Sequence, residues 1–211
     1  MRKIRREIFI VAIIVVVILA VFLILTNSSG DNNSENISTV DADLKSVAIN
    51  IDDVPDNFDF IAEKHWTDPG NFTNATGNGM IWNYIEHYQS NYIENTTSNG
   101  ASAQNDVTSK IIQSVTKLES KDKAELYVDL WSERLNNKEG YTKINIETIG
   151  SKSAYYHYII PYQSYDIDNY VLCFSIGDVV VTIGGGGLTV NQDTYHNYAK
   201  IIEDNVINLC Q

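Results

Sequence analysis

The chain has 211 residues, with 15 Lys+Arg against 27 Asp+Glu for a formal net charge of −12, and 44% of it is hydrophobic. That balance excludes electrostatic binding to nucleic acid or to an anionic lipid surface. Cys173 and Cys210 stand outside any C-x-x-C pair and far from any histidine in the chain, which excludes a cysteine-based zinc centre.

Residues 1–7 form a basic tail containing Arg2, Lys3, Arg5 and Arg6. Behind it, Ile8 to Leu25 is unbroken: 16 of the 18 residues are Ile, Val, Leu or Phe, and the other two are Ala12 and Ala20. As an α-helix this run spans about 27 Å, close to the hydrocarbon thickness of a bilayer. A signal peptide has a shorter apolar core and a small-x-small cleavage site, and Thr26 to Asp31 offers none. Residues 8–25 are therefore expected to be an uncleaved transmembrane helix whose partner is the lipid bilayer. The basic tail places the N-terminus in the cytoplasm and the rest of the chain outside. Removing Arg2, Lys3, Arg5, Arg6 and Glu7 from the totals of 15 and 27 leaves 11 and 26, a formal −15 for the outer part. Such a charge suits a soluble surface domain.

Residues 26–46, rich in Asn, Ser, Asp and Gly, read as a flexible polar stalk, and residues 47–211 as one extracytoplasmic domain. Six sequons, at Asn27, Asn32, Asn36, Asn71, Asn74 and Asn95, are candidate glycosylation sites that all precede residue 98. Ser46 to Asp56 leads through a turn into a strand over 57–64, and Asp52, Asp53, Asp56 and Asp59 lack the fixed Gly and final Glu of a calcium loop. Gly70 to Gly79 is expected to be a loop. Met80 to Tyr88 alternates as a strand with Trp82, Tyr84, Glu86 and Tyr88 on one face. A polar stretch from Asn95 to Asp106 follows, and then a β-branched strand over 110–118.

The clearest helix starts after Ser120, a fitting N-cap. It carries Ala124, Tyr127, Val128, Trp131 and Leu135 on one stripe, and Gly140 suits a left-handed C′ position. Strands are predicted over 143–149, 154–160 and 170–176, the last turning at Gly177-Asp178 into 179–183 as a hairpin. A closing helix from Asp193 to Leu209 lines up Tyr195, Tyr198, Ala199, Ile202, Val206 and Leu209.

Motifs for chemistry are sparse. Gly184 to Gly187 lies between strand and helix but lacks G-K-[ST], so it reads as a loop or strand bulge. His65, His87, His157 and His196 never occur at metal-ligand spacing, so no metal site, no catalytic residue and no cofactor is expected. Cys173 and Cys210 can pair as a disulfide or stand as two buried thiols. Tyr155, Tyr156, Tyr158, Tyr162 and Tyr165 form a candidate binding surface, or else divide between core and strand surface.

Taken together, the V-P-D-N-F start at Val54 to Phe58, the tract Leu118-Glu-Ser-Lys-Asp-Lys-Ala124, the segment Ile144 to Tyr155 and the hairpin around Ser175 to Val181 resemble small membrane-anchored surface proteins of archaea. Those proteins are similar to the PsbP-like domain. The resemblance covers about Asp53 to Leu209. It implies an α+β fold, an α/β/α sandwich with a mainly antiparallel sheet, and it carries no catalytic residues, since related domains serve as accessory or binding modules. The chain departs from the pattern in a long insert, Thr67 to Asp106. The expected function is a non-enzymatic binding or accessory module of the cell envelope, with an envelope protein or polysaccharide as partner. The alternatives are an extracytoplasmic hydrolase using acidic residues with His157 or His196, and a sensing or assembly subunit of a membrane complex.

Overall fold

The computed structural model describes residues 43–73, 80–95, 108–162 and 165–209. The basic tail, the Ile8–Leu25 run and residues 26–42 of the predicted stalk lie outside these. Among the described residues no helix is long and apolar enough to cross a membrane.

An eight-stranded antiparallel sheet forms the middle layer. In chain order the strands are β1 (Phe58–Trp66), β2 (Gly70–Thr73), β3 (Ile81–Glu94), β4 (Lys110–Leu118), β5 (Tyr141–Ile144), β6 (Lys152–Tyr162), β7 (Tyr165–Ile176) and β8 (Val179–Gly186). The helices are α1 (Leu44–Val47), α2 (Lys121–Asn136) and α3 (Gln192–Leu209), with a 3-10 turn at Ile51–Asp53. Across the sheet the order is β1-β3-β4-β8-β7-β6-β5, and β2 joins β3 beyond the end of β1. β1 and β2 thus share one edge of β3 and are parted at Asp68-Pro69, where the missing proline N–H suits an edge and ends the ladder. The fold is α+β, with helices on both faces of a mainly antiparallel sheet.

Two apolar layers follow from the period-2 alternation. Helices α1 and α3 cover one face with Leu44, Val47, Tyr195, Ala199, Ile202 and Val206, over Ile111, Val115, Tyr155, Leu172 and Phe174. Helix α2 covers the other with Ala124, Val128, Trp131 and Leu135, over Trp82, Tyr84, Leu118, Tyr156 and Cys173. Fully burying an aliphatic or aromatic side chain of this kind stabilises the fold by about 1.5–3 kcal/mol.

Strand β3 changes layers along its length. A bulge between Tyr84 and Glu86 places one extra residue opposite β4, so Trp82 and Tyr84 face α2 while Tyr88 and Tyr92 face α1 and α3. This corrects the expectation that Trp82, Tyr84, Glu86 and Tyr88 share a face: alternation breaks where a bulge inserts a residue. The strand also runs on past Tyr88 to Glu94, because the polar residues Gln89, Ser90 and Glu94 are buried and ladder-paired.

Other boundaries move for local reasons. Leu44, within the stretch read as stalk, is wholly buried beside Val47. Gly70 to Thr73 is strand β2. Ser120 caps α2 by accepting from the Lys123 N–H, but Asn137 rather than Gly140 closes its C-terminus. Gly140, at φ 85°, takes its left-handed conformation in the turn that enters β5. The strand predicted over 143–149 stops at Ile144, after which the chain drops Ile149 into the α3 layer and turns at Gly150, whose φ is 65°. Asp52 and Asp53 serve the 3-10 turn locally: Asn50 Oδ1 accepts from the Asp52 N–H, and Asp53 Oδ2 accepts from the Asn50 N–H.

Candidate functional site

The chain segment that enters the domain is fastened to the sheet by one buried side chain. Gln113 Oε1 accepts from the Ile49 N–H at 3.0 Å, and its Nε2 donates to the Ile49 carbonyl at 2.6 Å and to Ser90 Oγ at 2.8 Å. The Tyr92 hydroxyl donates to the same carbonyl at 2.8 Å, and Asn205 Nδ2 donates to the Val47 carbonyl at 3.2 Å. Residues 47–49 are thereby held over β3 and β4 with the Ile49 N–H and the Val47 and Ile49 carbonyls satisfied, as burial requires.

This docking carries Asp43 to the sheet edge, where two bulges have already aimed their side chains. The β3 bulge turns Glu86 toward α1. A second bulge, with one extra residue between Phe60 and Ala62, sets Glu63 and His65 of β1 on the same side. His65 Nε2 lies 2.6 Å from Glu86 Oε1 and 3.8 Å from Asp43 Oδ1. Each contact has support behind it. Glu86 Oε1 also accepts from the Leu44 N–H at 3.1 Å, and Asp43 Oδ1 from the Lys45 N–H at 2.9 Å. Beside them Glu63 takes Lys45 Nζ at 2.7 Å and the Tyr88 hydroxyl at 2.9 Å. Those two hydrogen bonds, Lys45 first, hold its carboxyl below the usual carboxylate range. Burial and the Glu63 carboxylate push the Tyr88 phenol up, so that it stays a donor. On the far side of β3, His87 packs between Trp66 and Tyr84 with Nδ1 on Thr116 Oγ1, and burial lowers it to about 4, so it is neutral near pH 7.

A second histidine–carboxylate pair sits on the α3 face. His157 Nε2 is 2.6 Å from Asp168 Oδ1, and its ring leans on Tyr170. Nearby, Tyr155 donates to the Gln192 carbonyl at the start of α3, and Tyr195 reaches back to the Lys110 carbonyl. That last contact explains the glycine run. β8 continues to Gly186, and a Cβ on Gly185, at φ 151°, would strike both the Lys110 carbonyl and the Tyr195 hydroxyl. The run is a strand end built for close approach.

The five tyrosines do not make one surface. Tyr155 and Tyr156 point to opposite faces and are both fully buried, one in each layer, so neither belongs to a binding surface. Tyr156 is satisfied there by Ser132 and Asn136. Tyr158 is half-buried and stacks on Tyr141 at 4.5 Å, its hydroxyl pushed up to about 12 by burial. Tyr162 is half-buried, and the side chain of Tyr165 lies outside the description.

Cys173 is a free thiol buried in the α2 layer, and burial pushes it up to about 12; Cys210 lies outside the described residues. Of the sequons, Asn27, Asn32, Asn36 and Asn74 lie outside them too. Asn71 is half-buried in β2, and Asn95 follows β3 with its N–H on the Asn57 carbonyl. His196 sits on α3 apart from the contacts described for His157.

The grouping of Asp43, His65 and Glu86 escaped the sequence because its members come from the cap of α1, an edge strand and a bulged strand. No local spacing joins them. The one available signal was Glu86 among aromatics on an alternating strand.

No family model matches the chain, and no curated protein matches it. Among solved structures its fold is similar to the extracellular domain of PknH from Mycobacterium tuberculosis. The TM-score is 0.57 and the identity 13%, over 78% of this chain and 94% of that one. At that identity the likeness is one of fold.

Proposed function

We propose that this chain is a membrane-tethered extracytoplasmic domain of the PsbP-like kind that works as a non-enzymatic binding or accessory module of the cell envelope. Residues 8–25 are the tether, the N-terminus faces the cytoplasm, and the partner is an envelope protein or polysaccharide. The observation that carries the reading is the fold likeness to an extracellular domain over most of both chains. The basic tail with its 18-residue apolar run supports it from the sequence side.

The test is affinity capture of the intact protein from detergent extracts of its own membranes after mild cross-linking. The control is a version carrying residues 1–46 alone. A protein or glycan enriched only with the full chain is expected; equal recovery with the control would overturn the reading. A second reading, hydrolysis of envelope material, draws on His157 oriented by Asp168 at 2.6 Å, a base held by a carboxylate. Product release from isolated envelopes that disappears in H157Q would favour it.

A further inference from the structure

We propose that Asp43, His65 and Glu86 bind one divalent first-row transition ion, Zn²⁺ foremost, which clips the start of the domain to the edge of the sheet. The site goes beyond the binding-module reading and stands whether or not the chain is tethered.

The donor atoms come from three separate elements, one from each residue, and all lie within 4.8 Å of one another. Zinc holds imidazole nitrogen and carboxylate oxygen at about 2.0–2.2 Å, so tetrahedral ligand atoms stand about 3.3 Å apart. The His65–Glu86 contact at 2.6 Å must open and the His65–Asp43 contact at 3.8 Å must close, each by less than about 1 Å, a change that side-chain rotation supplies. In the ion-free arrangement a proton on Nε2 bridges His65 to Glu86. The cation takes that proton's place as the ring changes tautomer: Nε2 loses its proton to solvent while Nδ1 gains one, so that neutral imidazole is the ligand.

Ligand orientation is already supported. The Leu44 and Lys45 N–H groups hold Glu86 and Asp43 from behind, as outer hydrogen bonds do in metal sites. Side-chain exposure of 61% for Asp43, 26% for His65 and 18% for Glu86 leaves the front open for a water as fourth ligand. The Glu63 carboxylate adds negative potential nearby, partly spent on Lys45. Lys117, which pairs in register with Glu86, opposes the ion. An imidazole with only two carboxylates suits Zn²⁺ and its transition-metal neighbours, whereas Ca²⁺ takes six to eight oxygens and Mg²⁺ an octahedral oxygen set. Because Asp43 precedes α1 and Glu86 lies in the sheet, the bound ion cross-links the incoming chain to β1 and β3.

The experiment titrates untagged full-length protein in detergent, stripped by chelator, with Zn²⁺ by calorimetry and with Co²⁺ by visible absorption. One ion per chain is expected, together with a Co²⁺ band of four-coordinate intensity. H65Q and E86Q should each weaken binding by more than about 10-fold and D43N by a similar factor, while H157Q leaves it unchanged. Folding of each variant is checked by circular dichroism. As an independent readout, Zn²⁺ should slow amide exchange at Leu44 and Lys45 in wild type and not in H65Q. Absence of saturable Zn²⁺ binding, binding indifferent to H65Q or D43N, or equal affinity for Ca²⁺ would each overturn the assignment.

Discussion

Replacing Gln113 by leucine tests the docking of the incoming segment most directly. The side chain is fully buried and makes three hydrogen bonds, two of them to Ile49. Leucine fills a similar volume but satisfies nothing. The Ile49 N–H is left buried and unpaired at a cost of about 1–3 kcal/mol. The Ile49 carbonyl keeps the Tyr92 hydroxyl, so it contributes little to the loss. With the bond to Ser90 also gone, Q113L should lower stability by about 2–3 kcal/mol. Q113E should cost more although it keeps an acceptor for the Ile49 N–H, since it buries a carboxylate whose second oxygen faces the Ile49 carbonyl. Urea unfolding followed by tryptophan fluorescence measures the loss, and amide exchange at Ile49 locates it. A Q113L change below about 0.5 kcal/mol, with Ile49 still protected, would refute the claim that Gln113 secures this segment.

Y156F removes a buried hydroxyl bonded to Ser132 and Asn136 and should cost about 1–2 kcal/mol, read as a lower urea midpoint with an unchanged slope. D178N should stabilise the protein near pH 7. Both Asp178 carboxylate oxygens are buried without a hydrogen bond, and burial raises its pKa against the weaker pull of Lys117. The folded state then binds a proton more readily than the unfolded one, so the wild type regains stability as pH falls from the raised folded value toward about 3.8. The advantage of D178N, at most about 1–3 kcal/mol, should shrink over that window in thermal melts; a constant advantage would refute the assignment. In a C210S background, native Cys173 should resist iodoacetamide near neutral pH and react fully in urea, because burial keeps it a thiol. Rapid native labelling would contradict the packing of the α2 layer.

Much of the fold was written in local signals. Strand β4, helix α2 with its Ser120 cap, the β7–β8 hairpin and the stripe of α3 all have strong periodicity and clear punctuation, and they lie where the pattern puts them. The misses share a cause. Leu44 looked isolated because its partners on β3, β4 and α3 lie far along the chain, and residues 145–149 kept a strand-like rhythm with no neighbouring strand to pair with. The second half of β3 was hidden by polar residues whose hydrogen bonds make burial tolerable, and the bulge before Glu86 leaves no mark in composition. Of the candidate site almost nothing was legible: it exists because two bulges and a docked segment bring three distant side chains together.

The one-residue slip in β3 also divides that strand's aromatic residues lengthwise between the two apolar layers: Trp82 and Tyr84 belong to one, Tyr88 and Tyr92 to the other. Neither layer can come apart without pulling on the same backbone ladder. The two faces are therefore expected to melt as a single cooperative unit, with tryptophan signals from the α2 side and exchange protection on the α3 side lost at one midpoint. Deleting Ile85 should keep them coupled, because Glu86 would then follow Tyr84 directly and plain alternation would leave it, Tyr88 and Tyr92 on the face they already occupy.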